Sequence, residues 1–201
     1  MLLLLALAWS GCENRSDMVR QPGDAEILQP NDQPDLEAMR LREPPPPELK
    51  VRYVSGDGRF YVRFPKEPKV NFELIPSAQG SIELHTFSHD YSITKAYWVS
   101  YSDHPSELLE SRIPSAVLAE ARDYVIAGLG PQTELVDEEE ADLDGYPGVV
   151  FRARNGNFHA AYKLFLVENR LYQIGILRDG KFPSGPDFEA FTGSFGLIPE
   201  E

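Results

Sequence analysis

The chain has 201 residues, of which 25% are charged and 42% hydrophobic, the composition of an ordinary globular protein. Its 32 Asp and Glu residues outnumber its 19 Lys and Arg residues, and the net charge of −13 argues against nucleic acid as a partner because it repels phosphate. A single cysteine excludes an internal disulfide, but a folded region of about 150 residues hides roughly 70% of its unfolded surface and can sustain a core without one.

A short apolar segment precedes the only cysteine. Leu2–Trp9 matches the core of a secretory signal and is far shorter than the ~20 residues that cross a bilayer as a helix. Ser10 and Gly11, directly before Cys12, resemble the lipobox of bacterial lipoproteins. That resemblance implies a lipoprotein signal peptide at 1–11 and a diacylated thiol on Cys12. The alternative is a plain secretory signal followed by an incidental cysteine.

Residues 12–48 contain the proline run Pro44–Pro47 and no aromatic side chain. Such a segment cannot bury enough apolar area to offset the cost of ordering, which predicts a disordered acidic tether. We expect one folded domain at 49–201. The sequence therefore predicts a lipid-anchored, extracytoplasmic protein of the cell envelope, and Glu13 favours the periplasmic face of the outer membrane by analogy with other lipoproteins.

Period-two alternation of apolar residues predicts several strands at the start of the domain. They are expected at Val51–Tyr53, Phe60–Phe64, Val70–Ile75, Ser81–Ser88 and Ser92–Tyr101. The period then changes, and apolar residues at helical spacing predict a helix over Pro114–Ala127.

The chain after this helix is expected to hold an edge strand, a connection and a closing helix. Thr133–Val136 reads as the edge strand, and the acidic run 137–144 as a solvated connection. The closing helix is expected to carry Phe188, Phe191 and Phe195 on one side.

The stretch Gly148–Leu177 predicts three antiparallel strands around which the fold is organised. Asn155-Gly156 is a strong signal for a two-residue hairpin turn. With these two residues as the loop, Arg152 lies opposite His159, and Val149 lies opposite Tyr162. One face of the hairpin is then apolar and comprises Val149, Phe151, Ala153, Ala160, Tyr162, Leu164 and Leu166.

The other face carries a basic stripe, defined by Arg152, Arg154, His159 and Lys163. It is a candidate site for an anion or for an acidic segment of a partner. The alternative is a solvated sheet face, or salt bridges from these side chains to the acidic run just upstream.

Other chemistries have little support in the sequence. His85 and His89 fall on a predicted strand, where residues four apart are about 13 Å from each other and cannot share one metal ion. The acidic run 137–144 lacks the pattern of an EF-hand loop, so a solvated connection is favoured over a calcium site. No serine stands in a Gly-x-Ser-x-Gly setting. We therefore assign no catalytic residue, no metal ligand and no cofactor.

With these elements in place, the region Val51–Ile198 resembles the PsbP-like family, which includes a Ran-binding import factor. The resemblance rests on the order of elements and on a few positions: the turn Gly145–Gly148, the strand entry Arg170, Leu171 and Tyr172, and the closing Phe188, Phe191, Ser194 and Phe195. It implies an α+β fold, an antiparallel sheet with helices on both faces in an α/β/α sandwich. It also implies a non-enzymatic role in binding or assembly, with no ligand-binding residues carried over.

Three functions follow as hypotheses. The first is a lipoprotein that binds an envelope protein or helps a complex to assemble. The second is a small envelope hydrolase that uses unrecognised carboxylates with His159. The third is a carrier of a cation or another ligand through the acidic run.

Overall fold

The computed structural model describes residues 46–77 and 80–199. The predicted signal peptide, Cys12 and nearly all of the predicted tether lie outside the described residues. Among the described residues, no helix is long and apolar enough to cross a membrane.

The described residues form ten strands and three helices. The strands are β1 (Val51–Ser55), β2 (Phe60–Phe64), β3 (Lys69–Ser77), β4 (Gly80–Ser92), β5 (Lys95–Asp103), β6 (Glu134–Leu143), β7 (Tyr146–Asn155), β8 (Phe158–Val167), β9 (Arg170–Asp179) and β10 (Gly196–Leu197). The helices are α1 (Ser106–Leu109), α2 (Pro114–Gly128) and α3 (Gly185–Thr192).

Seven strands form one antiparallel sheet in the order β3-β4-β5-β9-β8-β7-β6, and β1-β2-β10 form a second, small sheet. The predicted three-strand stretch occupies the β7, β8 and β9 positions of the large sheet, which confirms it as the scaffold of the fold. The large sheet has two edges, β3 and β6. The fold is α+β, as predicted.

Helix α2 covers one face of the large sheet. Pro114 stands in its first turn, where a missing N–H costs no hydrogen bond. Its residues Val117, Leu118 and Val125 are buried against β7 and β8. The sheet residues in this core include every member of the predicted apolar face: Val149, Phe151, Ala153, Ala160, Tyr162, Leu164 and Leu166.

The opposite face is covered by the small sheet and by α3, and its core is rich in aromatic rings. Phe60 of β2 is fully buried and lies 5.2 Å from Phe87 and 5.5 Å from Phe195, measured between ring centroids. Phe191 of α3 lies 5.0 Å from Tyr97. Helices therefore flank the large sheet on both faces, and the small sheet shares the second face.

The register predicted for the β7–β8 hairpin is wrong by one turn residue. Arg154, and not Arg152, lies opposite His159, and Val149 lies opposite Leu164. Gly156 and Asn157 form the two-residue loop, and Gly156 has φ +56°. Asn155 stays in the strand because its side-chain Nδ2 donates to the carbonyl of Leu129 at the end of α2, at 2.7 Å.

The faces of the hairpin survive this correction. The partner of each β7 residue moves by two positions along β8, and side chains two apart in a strand point to the same face. The apolar face and the basic stripe therefore keep their members.

The prediction of a solvated connection at 137–144 is wrong. These residues belong largely to β6, which extends the predicted edge strand Thr133–Val136 and pairs with β7 with one register shift between Leu135 and Asp137. Six of the ten β6 residues are acidic, and all ten are exposed or half-buried, on both faces of the strand. An edge strand exposed in this way shows no hydrophobic alternation, so its pattern resembles that of a loop.

The closing helix is shorter than predicted. It ends at Thr192, and Phe195 follows it in the chain, with its ring 5.4 Å from that of Tyr172. The short elements α1 and β10 were not predicted, because four and two residues carry too little periodicity to detect.

Candidate binding surfaces

The basic stripe lies on β7 and β8, as predicted, but its charges are paired. Arg152 Nε donates to Asp137 of β6 at 2.9 and 3.0 Å, which holds the pKa of that carboxyl below its usual range. Arg154 Nη2 donates to Glu134, also of β6, at 2.7 Å. Strand β6 thus supplies both carboxylates that neutralise the arginines, Asp137 from the acidic run 137–144 and Glu134 from just before it.

The other two members of the stripe also have internal contacts. Lys163 Nζ donates to Glu189 of α3 at 2.9 Å. The ring of His159 packs edge-on against Phe182 at 4.7 Å, and its Nδ1 lies 2.8 Å from the carbonyl oxygen of Asn157. Binding of an anion or a partner by the stripe remains a prediction, and an incoming anion would compete with carboxylates already in place.

A buried charged cluster joins α3 to β5. Asp187, only 3% exposed, stands in the first turn of α3, where the helix dipole favours a negative charge. Lys95 Nζ lies 2.5 Å from its Oδ2, and the hydroxyl of Tyr97 donates to its Oδ1 at 2.8 Å. Burial, together with this hydrogen bond, raises the pKa of Tyr97 far above its ordinary value. The cluster fastens α3 to the sheet, and no spacing in the sequence indicated it.

A second polar network surrounds Arg170 at the start of β9. Its Nε and Nη2 donate to the two carboxylate oxygens of Asp103 at 2.6 and 2.7 Å, and its Nη1 donates to the carbonyl of Asp57 at 2.8 Å. The guanidinium also lies 4.5 Å from the ring centroid of Tyr101. Nearby, the hydroxyl of Tyr172 donates to the carbonyl of Gly58 at 2.7 Å. The hydrogen bonds from Arg170 to the Asp57 carbonyl and from Tyr172 to the Gly58 carbonyl connect the large sheet to the β1–β2 turn.

Two histidines line an open cavity of about 380 Å³ beside this network. His85 stacks on Tyr101 at 4.6 Å, and its Nε2 lies 3.3 Å from a carboxylate oxygen of Glu83. His104 Nε2 lies 3.2 Å from Ser102 Oγ, and burial lowers the pKa of His104. Within 46–77 and 80–199, no three side chains of metal-ligating type are grouped to hold an ion. The cavity offers stacking and hydrogen bonding rather than coordination.

The edge strand β3 carries an exposed apolar strip, defined by Val70, Phe72 and Leu74. These side chains are 59%, 69% and 62% exposed. They share the face of the large sheet that carries the aromatic core, because Val70 lies opposite the buried Phe87. No residue from Lys69 to Leu74 is buried. The alternation in this segment correctly predicted a strand, but sequence alone could not reveal that its apolar side is uncovered.

Comparison with known proteins identifies the fold. No family model and no curated protein sequence matches the chain. The solution structure of cyanobacterial PsbP from Synechocystis matches with a TM-score of 0.50 and 18% identity, and the match covers 73% of this chain and 91% of that one. A Pseudomonas aeruginosa protein of unknown function matches with a TM-score of 0.33 and 11% identity, over 64% and 82% of the two chains. At 18% identity the first match speaks for the fold alone, and the fold of this chain is PsbP-like.

Proposed function

We propose that this chain is a lipoprotein of the cell envelope, anchored outside the cytoplasm through Cys12, whose domain is a non-catalytic module that binds a protein. The apolar segment Leu2–Trp9, followed by Ser10, Gly11 and Cys12, supports the anchor. The observation that carries the binding role is the apolar strip of β3.

The strip is favoured over the polar clusters on energetic grounds. Arg152, Arg154 and Lys163 are already paired with carboxylates, so a ligand must replace those contacts before it gains anything. Val70, Phe72 and Leu74 expose large apolar surface, and covering it releases water at no such cost. An edge strand also presents backbone N–H and C=O groups that another strand can pair with.

No specific observation favours the two alternative functions, a hydrolase that uses His159 and a carrier of a cation or another ligand. The ring of His159 packs against Phe182, and its Nδ1 lies beside a backbone carbonyl. A catalytic histidine base is usually oriented by a carboxylate, and neither of these two contacts supplies one. The acidic run lies along a strand, where successive side chains point to opposite faces, and Asp137 is paired with Arg152.

Site-specific photo-crosslinking in intact cells tests the binding role. A photoreactive residue in place of Phe72 should give an adduct with a protein of the envelope. The matched control is Tyr124, which is 57% exposed on α2 and lies away from β3. Equal labelling from both positions, or none from position 72, would refute the proposal.

The anchor is tested separately. Metabolic labelling with a fatty acid should mark the wild-type chain, and Cys12→Ala should abolish the label. An unlabelled wild-type chain would remove the anchor and leave the binding module to be judged alone.

A further inference from the structure

We propose that the protein bound by β3 is a second copy of this chain, with the two β3 strands paired antiparallel about a twofold axis at Asn71. The inference rests on the proposed function, because it names the occupant of the same strip. The two large sheets would join into one continuous sheet with β3 at its centre.

The backbone of β3 is suited to this pairing. Its register with β4 runs without a shift from Lys69, opposite Ser88, to Ser77, opposite Gly80, so no bulge twists the edge away. Pro76 lacks an N–H and limits the length of strand that can pair. An axis at Asn71 keeps the paired region between Lys69 and Glu73, clear of that proline.

The charges on one face of the strand are self-complementary in this register. Antiparallel pairing about Asn71 places Lys69 opposite Glu73 of the second copy, and Glu73 opposite Lys69 of the second copy. Opposite charges directly across two strands are stabilising, and like charges are destabilising. At present Lys69 is paired with Asp90 at 2.9 Å, but both side chains are largely exposed, so sharing or releasing this contact costs little.

The other face of the strand is apolar in the same register. Val70 lies opposite Phe72 of the second copy, and the twofold axis repeats the pair. On the face that carries Lys69 and Glu73, Asn71 lies opposite Asn71 of the second copy, and an amide can both donate to and accept from an identical amide. Every side chain from Lys69 to Glu73 thus meets a compatible partner. A strand of an unrelated protein would need its own matching pattern of charged and apolar residues to pair equally well.

The association is expected to be weak in dilute solution. One pair of short strands covers less surface than the roughly 1,200 Å² of a stable interface, and the net charge of −13 on each copy opposes approach. Confinement to a membrane surface raises the effective concentration and favours such contacts.

Charge exchange tests the pairing with the full chain. Lys69→Glu alone and Glu73→Lys alone each place like charges opposite one another, and each should reduce the dimer fraction at high protein concentration by about fivefold. An equimolar mixture of the two variants should dimerise as the wild type does, because every cross-pair is then attractive. Both positions are exposed, and Lys69→Glu also gives up the exposed ion pair with Asp90, so each substitution should lower the melting temperature only slightly. A mixture that dimerises no better than the separate variants would overturn the proposal.

Disulfide trapping tests the axis. Asn71→Cys in a Cys12→Ser background, which lacks the proposed lipid anchor, should give a covalent dimer on mild oxidation at high protein concentration, and Tyr124→Cys in the same background should not. A chain that stays monomeric with Cys at position 71, or one trapped equally from position 124, would refute the inference. If no disulfide dimer forms but the photoreactive residue at position 72 gives an adduct whose mass differs from that of two copies of this chain, the proposed function stands with a different partner. If neither the disulfide dimer nor the photo-adduct forms, both the dimer and the proposed binding function are refuted.

Discussion

Replacing Arg170 by Met probes the most connected polar contact of the domain. The substitution keeps an apolar stem of similar length but removes the two hydrogen bonds to Asp103, the hydrogen bond to the Asp57 carbonyl and the contact with the Tyr101 ring. Removing one partner of a buried ion pair costs about 3–5 kcal/mol. The side chain of Arg170 is 10% exposed, but that of Asp103 is 51% exposed and can be rehydrated. We therefore expect a loss of about 3 kcal/mol, at the low end of that range.

The loss should depend on pH. The hydrogen bond from Arg170 holds the pKa of Asp103 below its ordinary 3.8. The stabilisation by this carboxylate is complete above that ordinary value and is lost as the pH falls through the lower folded-state pKa. The stability difference between wild type and Arg170→Met should therefore be largest at neutral pH and shrink at pH values below the folded-state pKa of Asp103, because a protonated Asp103 accepts less well from the guanidinium.

Urea unfolding of both chains at neutral and acidic pH measures this difference. Arg154→Met is the matched control, because its pair with Glu134 is exposed on both sides and should contribute less than about 1 kcal/mol. A loss of stability in Arg170→Met no larger than that of the control, or one of the same size at both pH values, would contradict this role of Arg170.

Three other changes give separate tests. Lys95→Met should destabilise the fold by about 3 kcal/mol in urea unfolding, because it leaves a buried carboxylate paired only with a hydroxyl, whereas Lys69→Met, at an exposed pair, should cost less than about 1 kcal/mol. Gly148→Ala should cost about 1–3 kcal/mol in thermal unfolding, because the added methyl group would lie 2.6 Å from a backbone carbonyl oxygen, whereas Gly56→Ala enters open space. Burial lowers the pKa of His104, so folding stability should fall as the pH drops through 6.5, and His104→Gln should flatten that dependence.

Each of these tests has a contradicting outcome. Equal losses from the two lysine substitutions would mean that the buried pair is no stronger than the surface pair. A Gly148→Ala chain as stable as Gly56→Ala would mean that the β7–β8 pairing accommodates the added methyl group. A pH dependence that persists unchanged in His104→Gln would assign it to another group, such as His89, whose pKa is also lowered by burial.

The sequence was sufficient to predict the strands of the scaffold and their faces, because alternation reports which side chains share a face. It could not settle the hairpin register, since Asn155 bonds to Leu129, which is distant in the chain and brought near only by the packing of α2. The buried pair of Lys95 and Asp187 was invisible for the same reason.

The candidate surface was also only half predictable. The alternation of Val70, Phe72 and Leu74 is typical of a strand that buries one side. Nothing in these residues shows that the elements packed on this face of the sheet cover Phe87 of β4 and leave β3 exposed. The basic stripe was predicted with its members, and salt bridges to the acidic run were one of the two alternatives. The sequence did not show that the acidic residues form a strand beside β7, or that Lys163 pairs with Glu189 of α3.

The acidic edge strand β6 bears on how far assembly can proceed. A sheet with two receptive edges can add copies without end and grow into a filament. Here Glu134, Asp137 and Glu138 of β6 are paired with arginines, but a second β6 laid along the first would still bring Glu139, Glu140 and Asp142 against an equally acidic strand. Like charges across two strands are destabilising, so this edge is unfavourable for self-pairing. If β3 pairs with a second copy as proposed, the large sheet has one edge that can add a copy and one that cannot. Growth would then stop at two molecules, and an anchoring membrane would carry pairs rather than fibres.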